Sequence, residues 1–289
     1  MMSRLPLRLA AAVTAFVAAP MAAHAAFLGD REVARVNSFG GSCVRCELSG
    51  RNLEGARIVG ANFSGAVLVG ANLRGARVQA SIFSGADLTR ADLSDAQASG
   101  ASFHRAVMPQ AVLRDVAIQG GMFVEADLTR ANLSDAALQG AEFSRANLSG
   151  ANLRGAQLQG ARLTRVEAAG AVFNDASLVG AHLAGGRFAR ASFRDAQLAG
   201  ATLTGADFAG ADFRDASLSR SQIGGVDFSK TKGLTQEQLD EACGDGRTRT
   251  PAGLTVKACG GAMRLIVRTP RPPPPPRAPP PPRYADAER

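Results

Sequence analysis

The chain has 289 residues, a formal charge of +8, no Trp, one Tyr (Tyr284) and abundant Ala and Gly. So few large side chains exclude a globular core built on bulky residues, and the length counts as one or two ordinary domains only once internal repetition has been checked. The charge excludes nothing until it is placed: residues 46–230 are nearly balanced, and most of the excess lies in Arg264, Arg268, Arg271, Arg277, Arg283 and Arg289, so neither a basic stripe nor an acidic rod is expected.

Residues 1–25, MMSRLPLRLAAAVTAFVAAPMAAHA, join Arg4 and Arg8 to an apolar run too short to span a bilayer comfortably, and end in a small-residue site at Ala23-His24-Ala25. The stretch predicts a secretory signal cut before Ala26, against the competing reading of a retained anchor. No Cys stands near the cut for lipid attachment, and no second apolar stretch is long enough to cross a membrane. The mature chain, without a transmembrane anchor, is therefore expected in the periplasm or medium. In that oxidising setting the four cysteines suggest bridges, grouped as Cys43 with Cys46 and Cys243 with Cys259.

An N-terminal cap is expected over 26–45. From Cys46 to Lys230 a five-residue frame never slips, giving 37 consecutive pentapeptides. The middle residue is Leu, Phe, Ile, Val, Met or, rarely, Ala, and the residue two before it is Ala in 28 of the 37. Two positions thus read as inward and three as outward. Neither a helix of period 3.6 nor a strand of period 2 keeps a period-five residue on one face, whereas a chain that turns a corner once per repeat does.

The Phe residues give the number of corners. Phe63, Phe83, Phe103, Phe123 and Phe143 are spaced by twenty, as are Phe173, Phe193 and Phe213, and Phe188, Phe208 and Phe228. Twenty residues are four pentapeptides, which predicts a square coil with one repeat per side and like side chains stacked in successive coils. At about 4.8 Å per coil, roughly nine coils make a rod about 44 Å long. Ala then fills the small half of each inward side, and the corners are expected to draw Gly, Asp and Asn, which tolerate turn conformations. Departures are few: Met108-Pro109 on the polar face, Gly121 and Gly186 for Ala, Val116, Val166 and Val226 at the small position, and Ala98 and Ala168 at the large one. Val166 and Ala168 share a repeat, where their volumes trade.

This A(N/D)LxG pattern resembles the pentapeptide-repeat family over about two thirds of the chain. The resemblance implies an all-β fold, a right-handed quadrilateral β-helix, and the handedness comes from it alone.

Open coil ends expose backbone groups and need caps. At the front, Cys43 takes the central place of an irregular repeat and Cys46 the small inward place of the first regular one, a cap knot or buried thiols. A c-type haem site needs His after CVRC, where Glu47 stands. A thioredoxin-like site needs a helix N-terminus in a βαβ setting. A zinc site needs four ligands, and the second cysteine pair lies about nine coils away.

Behind the repeats, residues 231–260 are expected to form a capping helix and disulfide loop. Thr235 reads as the N-cap and Gln238 as its capping-box partner, with Leu234 and Leu239 placed for a hydrophobic staple. Gly244 or Gly246 stops the helix. Residues 261–289 form a Pro/Arg-rich low-complexity tail that reads as extended polyproline II, either a solvated spacer or a ligand for an aromatic groove or anionic surface.

No catalytic constellation is expected, and no cofactor or metal. After the signal, only His104 and His182 remain, about 19 Å apart by coil spacing. The Gly-rich text matches no phosphate-binding loop. The function expected is therefore that of a non-enzymatic exported scaffold for protein interaction, with an envelope protein or surface as partner and no nucleic acid. Two alternatives are a topoisomerase-binding duplex-DNA mimic, as some members of the family are, and a thiol–disulfide partner using Cys43 and Cys46. Mimicry requires a strongly negative surface, which this rod lacks. A homodimer through the C-terminal end is compatible with the family.

Overall fold

The computed structural model describes residues 41–258. Parallel bridges join each outward residue before a large inward one to its equivalent twenty positions on, from Ser42↔Asn62 through Asp212↔Lys232. The chain thus closes one coil every four pentapeptides and stacks coil on coil. Each inward side is one small and one large residue, as at Ala151 and Leu153, both fully buried.

Each side is too short for a ladder strand. It contributes a single bridged residue whose neighbours bond between coils: the Phe63 N–H donates to the Ile82 carbonyl (2.6 Å), the Ile82 N–H to the Ala61 carbonyl (2.9 Å) and the Gly65 N–H to the Ser84 carbonyl (2.9 Å). The all-β expectation needs that correction: the solenoid is built of isolated bridges and turns, because a corner every fifth residue leaves no room for a longer strand.

At most corners the carbonyl of the large residue accepts from the N–H three residues on, as Phe63 does from Ala66 (3.0 Å). The last residue of every pentapeptide from 45 to 225 has positive φ, the mark of a type II turn. Gly and Asp stand there as expected, but so do eight arginines, among them Arg105 (φ 54) and Arg145 (φ 59). Asn does not hold this position. It sits just before the large residue, where its side chain accepts the N–H two residues on: Asn62 Oδ1 takes the Ser64 N–H at 2.9 Å and Asn72 Oδ1 the Arg74 N–H at 3.0 Å. Asp87, Asp92 and Asp127 do the same for Thr89, Ser94 and Thr129. The second letter of the repeat therefore locks the turn from outside.

The N-terminal end begins with the Asn62 N–H donating to Gly41 and the Cys43 N–H to Asn62. Cys43 and Cys46 form a disulfide, Cα–Cα 5.3 Å, from the large position of one repeat to the small position of the next. Both are half-buried against the core. The expected signal and most of the expected N-terminal cap lie outside the described residues.

At the other end, helix α1, Gln236–Asp240, starts at Thr235, whose hydroxyl accepts the Gln238 N–H while Gln238 Oε1 accepts the Thr235 N–H. Leu239 is buried and Leu234 packs on the core. Gln238 Nε2 also donates to the carbonyls of Phe213 (2.8 Å) and Ala216 (2.7 Å), so one side chain caps both the helix and the last regular coil. Beyond α1, Cys243 bridges Gln222, Arg249 bridges Asp227 and Gly244 bridges Ala258. Cys243 is disulfide-bonded; Cys259, its expected partner, and the tail lie outside the described residues.

Candidate functional site

Any function of such a rod must be carried by its stacked interior, its ends or its outward ladders. Inside, Phe63 to Phe143 stack ring on ring with centroids 4.7–5.1 Å apart. Phe173, Phe193 and Phe213 form a second stack, and Phe188, Phe208 and Phe228 a third on the adjacent side. These two stacks interlock edge to face, for example Phe193 on Phe208 at 5.7 Å and Phe208 on Phe213 at 5.2 Å. The interlock went unseen in the sequence. Its signal is the fifteen- and five-residue spacing between the two sets, which puts them on neighbouring sides of the same coils.

The irregular small positions also resolve. A Cβ at Gly186 would lie 2.6 Å from Phe188 Cε2, and one at Gly121 would run into Ile118 Cγ2, so each Gly makes room for an oversized neighbour. Ser81, fully buried at a small position, donates to the Ile58 carbonyl (2.6 Å) and accepts the Ala61 N–H (3.2 Å).

Outside, charged groups bond along the rod. Glu125 lies between Arg105 and Arg145, both at 2.7 Å from its two oxygens, and the Arg105 hydrogen bond holds its carboxyl below the usual range. Asp212, buried among charged neighbours, bonds Arg214 and Arg194 at 2.6 Å, and the Arg214 guanidinium holds it well below its ordinary value. At the C-terminal end Asp245 accepts the Gly225 N–H (2.9 Å) and Arg247 N–H (2.9 Å), which hold its carboxyl at about 2. Arg187 reaches Glu167 one coil below at 3.1 Å, and Arg162 reaches Glu142 at 3.0 Å. His182 is a rung between Arg162 and Thr202, and His104 is at a corner about four coils away. The fold does not bring the two together.

Among the described residues, no three His, Cys, Asp or Glu side chains are grouped to hold a metal ion, and no helix is long and apolar enough to cross a membrane.

No curated protein matches the sequence significantly. A family model for pentapeptide repeats matches in eight copies over 43–85, 81–120, 126–165, 156–195 and 191–230. Among solved structures, the chain is similar to HetL, a pentapeptide repeat protein involved in heterocyst differentiation regulation from the cyanobacterium Nostoc sp. strain PCC 7120. The two are 27% identical over 78% of this chain and 97% of that one, with a TM-score of 0.65. A likeness to QnrB1, a plasmid-mediated fluoroquinolone resistance protein, has 17% identity over 73% of this chain and 91% of that one, with a TM-score of 0.35. A frame kept without slippage, closed into coils of four and matched along most of its length, makes the chain a member of the pentapeptide-repeat family.

Proposed function

We propose that the protein is a non-enzymatic scaffold of the cell envelope: an exported, right-handed rod with closed ends that presents flat faces to another envelope protein or surface. The observation that carries this reading is where the polar groups go. Glu125, Asp212, Glu142 and Glu167 are each bonded to arginines one coil away or beside them, so the surface is a set of self-neutralised ladders instead of convergent acids and bases. Residues 46–230 hold 18 Lys and Arg against 17 Asp and Glu, which disfavours a mimic of the phosphate backbone. The leader at 1–25 supports export.

Affinity capture from envelope extracts, with the protein carrying or lacking residues 270–289, tests the role. One envelope component retained by both forms supports a scaffold that binds through the rod, and retention by the tailed form alone moves binding to the tail. Loss of supercoiling by gyrase at equimolar protein, or recovery from cytosol with Met1 in place, overturns the proposal.

A further inference from the structure

The four sides of the coil are not alike. Between residues 97 and 219 the chain carries 22 charged residues, and all of them lie on three sides or their corners. The fourth side has the bridged rungs from Gln97 to Ser217 and the corners that follow them, 99–100 through 219. Its twenty outward positions in that interval hold only Gln, Ser, Ala, Val and Gly. Six of them are corner glycines, with no side chain to stand proud of the surface.

Both ends of this neutral strip are charged: the N-terminal end is basic, and the C-terminal end joins the exposed Arg220 at the strip's own corner to the acidic residues of α1. Toward the N-terminus the same ladder continues to Arg77 and Arg57. Toward the C-terminus α1 takes the place of the next side, since the chain leaves the coil after Lys232 (bridged to Asp212) and rejoins it at Cys243 (bridged to Gln222). The Arg220 N–H donates to the Glu241 carbonyl at 2.8 Å, which ties α1 to this side. Glu237, Asp240 and Glu241 on this segment are exposed; Asp240 also meets Lys257 at 3.6 Å.

The buried side-chain oxygens without a hydrogen-bond partner among the described residues belong to Gln79, Gln139 and Gln159, and all three occupy the same corner of this side. The amide of Gln79 donates to Gln97 and that of Gln139 to Gln157, so their own NH2 groups are turned along the ladder.

We propose that this side is the contact face of a homodimer in which two rods lie antiparallel, neutral strip on neutral strip. An isologous contact needs a surface complementary to itself, and amides and hydroxyls, which both donate and accept, meet that condition. A charged partner finds nothing to pair with in the strip, and an apolar one finds one large exposed side chain, Val179. The antiparallel arrangement centres the two-fold axis on the coil of Gln157. It sets Arg77 of one copy opposite α1 of the other, at both ends of the contact. Along one edge runs the corner of Arg114-Asp115 and Arg194-Asp195, mixed in sign and so tolerant of its own copy.

The area sets the strength. From the level of Arg77 to that of α1 is eight coil spacings, about 38 Å, and a side three residues wide spans about 10 Å. The flat contact is therefore about 400 Å² per partner, half of the roughly 800 Å² of a standard stable interface. The dimer is weak and concentration-dependent.

Sedimentation velocity of the purified protein, tail included, from about 10 to 500 μM tests this. The expected result is a sedimentation coefficient that rises with concentration in the wild type and in Val107→Arg, on the opposite side, but not in Gln157→Arg, which places two like charges across the axis. Gln157 is exposed, so an unchanged melting curve shows that this variant is folded. Arg77→Glu alone is expected to weaken association at least several-fold, and Arg77→Glu with Glu237→Arg to restore it. A wild type that stays monomeric throughout overturns the proposal. So does Gln157→Arg associating like the wild type, which would move the contact to another surface such as the C-terminal end, or a charge swap that fails to restore it.

Discussion

Replacing Phe193 and Phe103 separately by Leu measures what the interlocked rings contribute. Both side chains are fully buried at large inward positions, and Leu fills equivalent positions elsewhere, so the change in size and hydrophobicity is common to the two variants. Their ring partners differ. Phe103 stacks on Phe83 and Phe123. Phe193 stacks on Phe173 and Phe213 and also meets Phe188 and Phe208 edge to face. At about 0.5–1.5 kcal/mol per aromatic pair beyond burial, Phe103→Leu forfeits about 1–3 kcal/mol of ring interaction and Phe193→Leu about 2–6. Phe193→Leu is therefore expected to be the more destabilising by about 1–3 kcal/mol. Guanidinium unfolding followed by far-UV circular dichroism reads the difference as a midpoint shift, provided the m-values agree, which they must if the coils unfold together. Equal shifts, or a larger one for Phe103→Leu, would refute the claim that the last coils are locked by contacts between ladders.

Three further outcomes follow from single positions. Gly186→Ala places a Cβ within 3 Å of the Phe188 ring and should lower stability by about 1–3 kcal/mol in the same assay. Gln110→Gly removes a left-handed strain (φ 57) from an exposed corner and should raise stability by about 1 kcal/mol. Asp245 is held at about 2 in the folded chain against an ordinary value near 3.8, chiefly by the Gly225 N–H. A depressed folded value means its contribution is full above about pH 4 and fades as pH falls toward 2. Asp245→Asn should therefore melt lower at neutral pH and lose less between pH 4 and 2 than the wild type, as read from melting temperature against pH.

The Phe ladders and the four-sided coil could be read from the sequence because one physical rule, a corner every fifth residue, fixes which residues face inward over the whole repeat. Thr235, Gln238 and Leu239 could be read for a similar reason, since a capping box is local. What escaped depends on how neighbouring sides meet. The edge-to-face contact of Phe188 with Phe193 needs the angle between two sides, and the grip of Gln238 on Phe213 and Ala216 needs α1 laid over the last coil. Arg105 and Arg145 at positive φ contradict local preference, and both bond Glu125. The neutral strip from Gln97 to Ser217 is invisible in a linear text and emerges only when residues are sorted by side. Cys259, the expected leader and the Pro/Arg-rich stretch lie outside the described residues.

The claim on which the rest stands is that the chain gains one coil, and one backbone spacing, for every twenty residues. Spin labels at Val67 and Arg187, rungs of one ladder six coils apart, test it most directly by double electron–electron resonance. The expected distance is about 29 Å between backbones, in a narrow distribution widened only by the label linkers. A three-repeat coil would put the same pair about 38 Å apart. That distance, or a broad spread with no maximum near 29 Å, would contradict the stacked square coil and the surfaces derived from it.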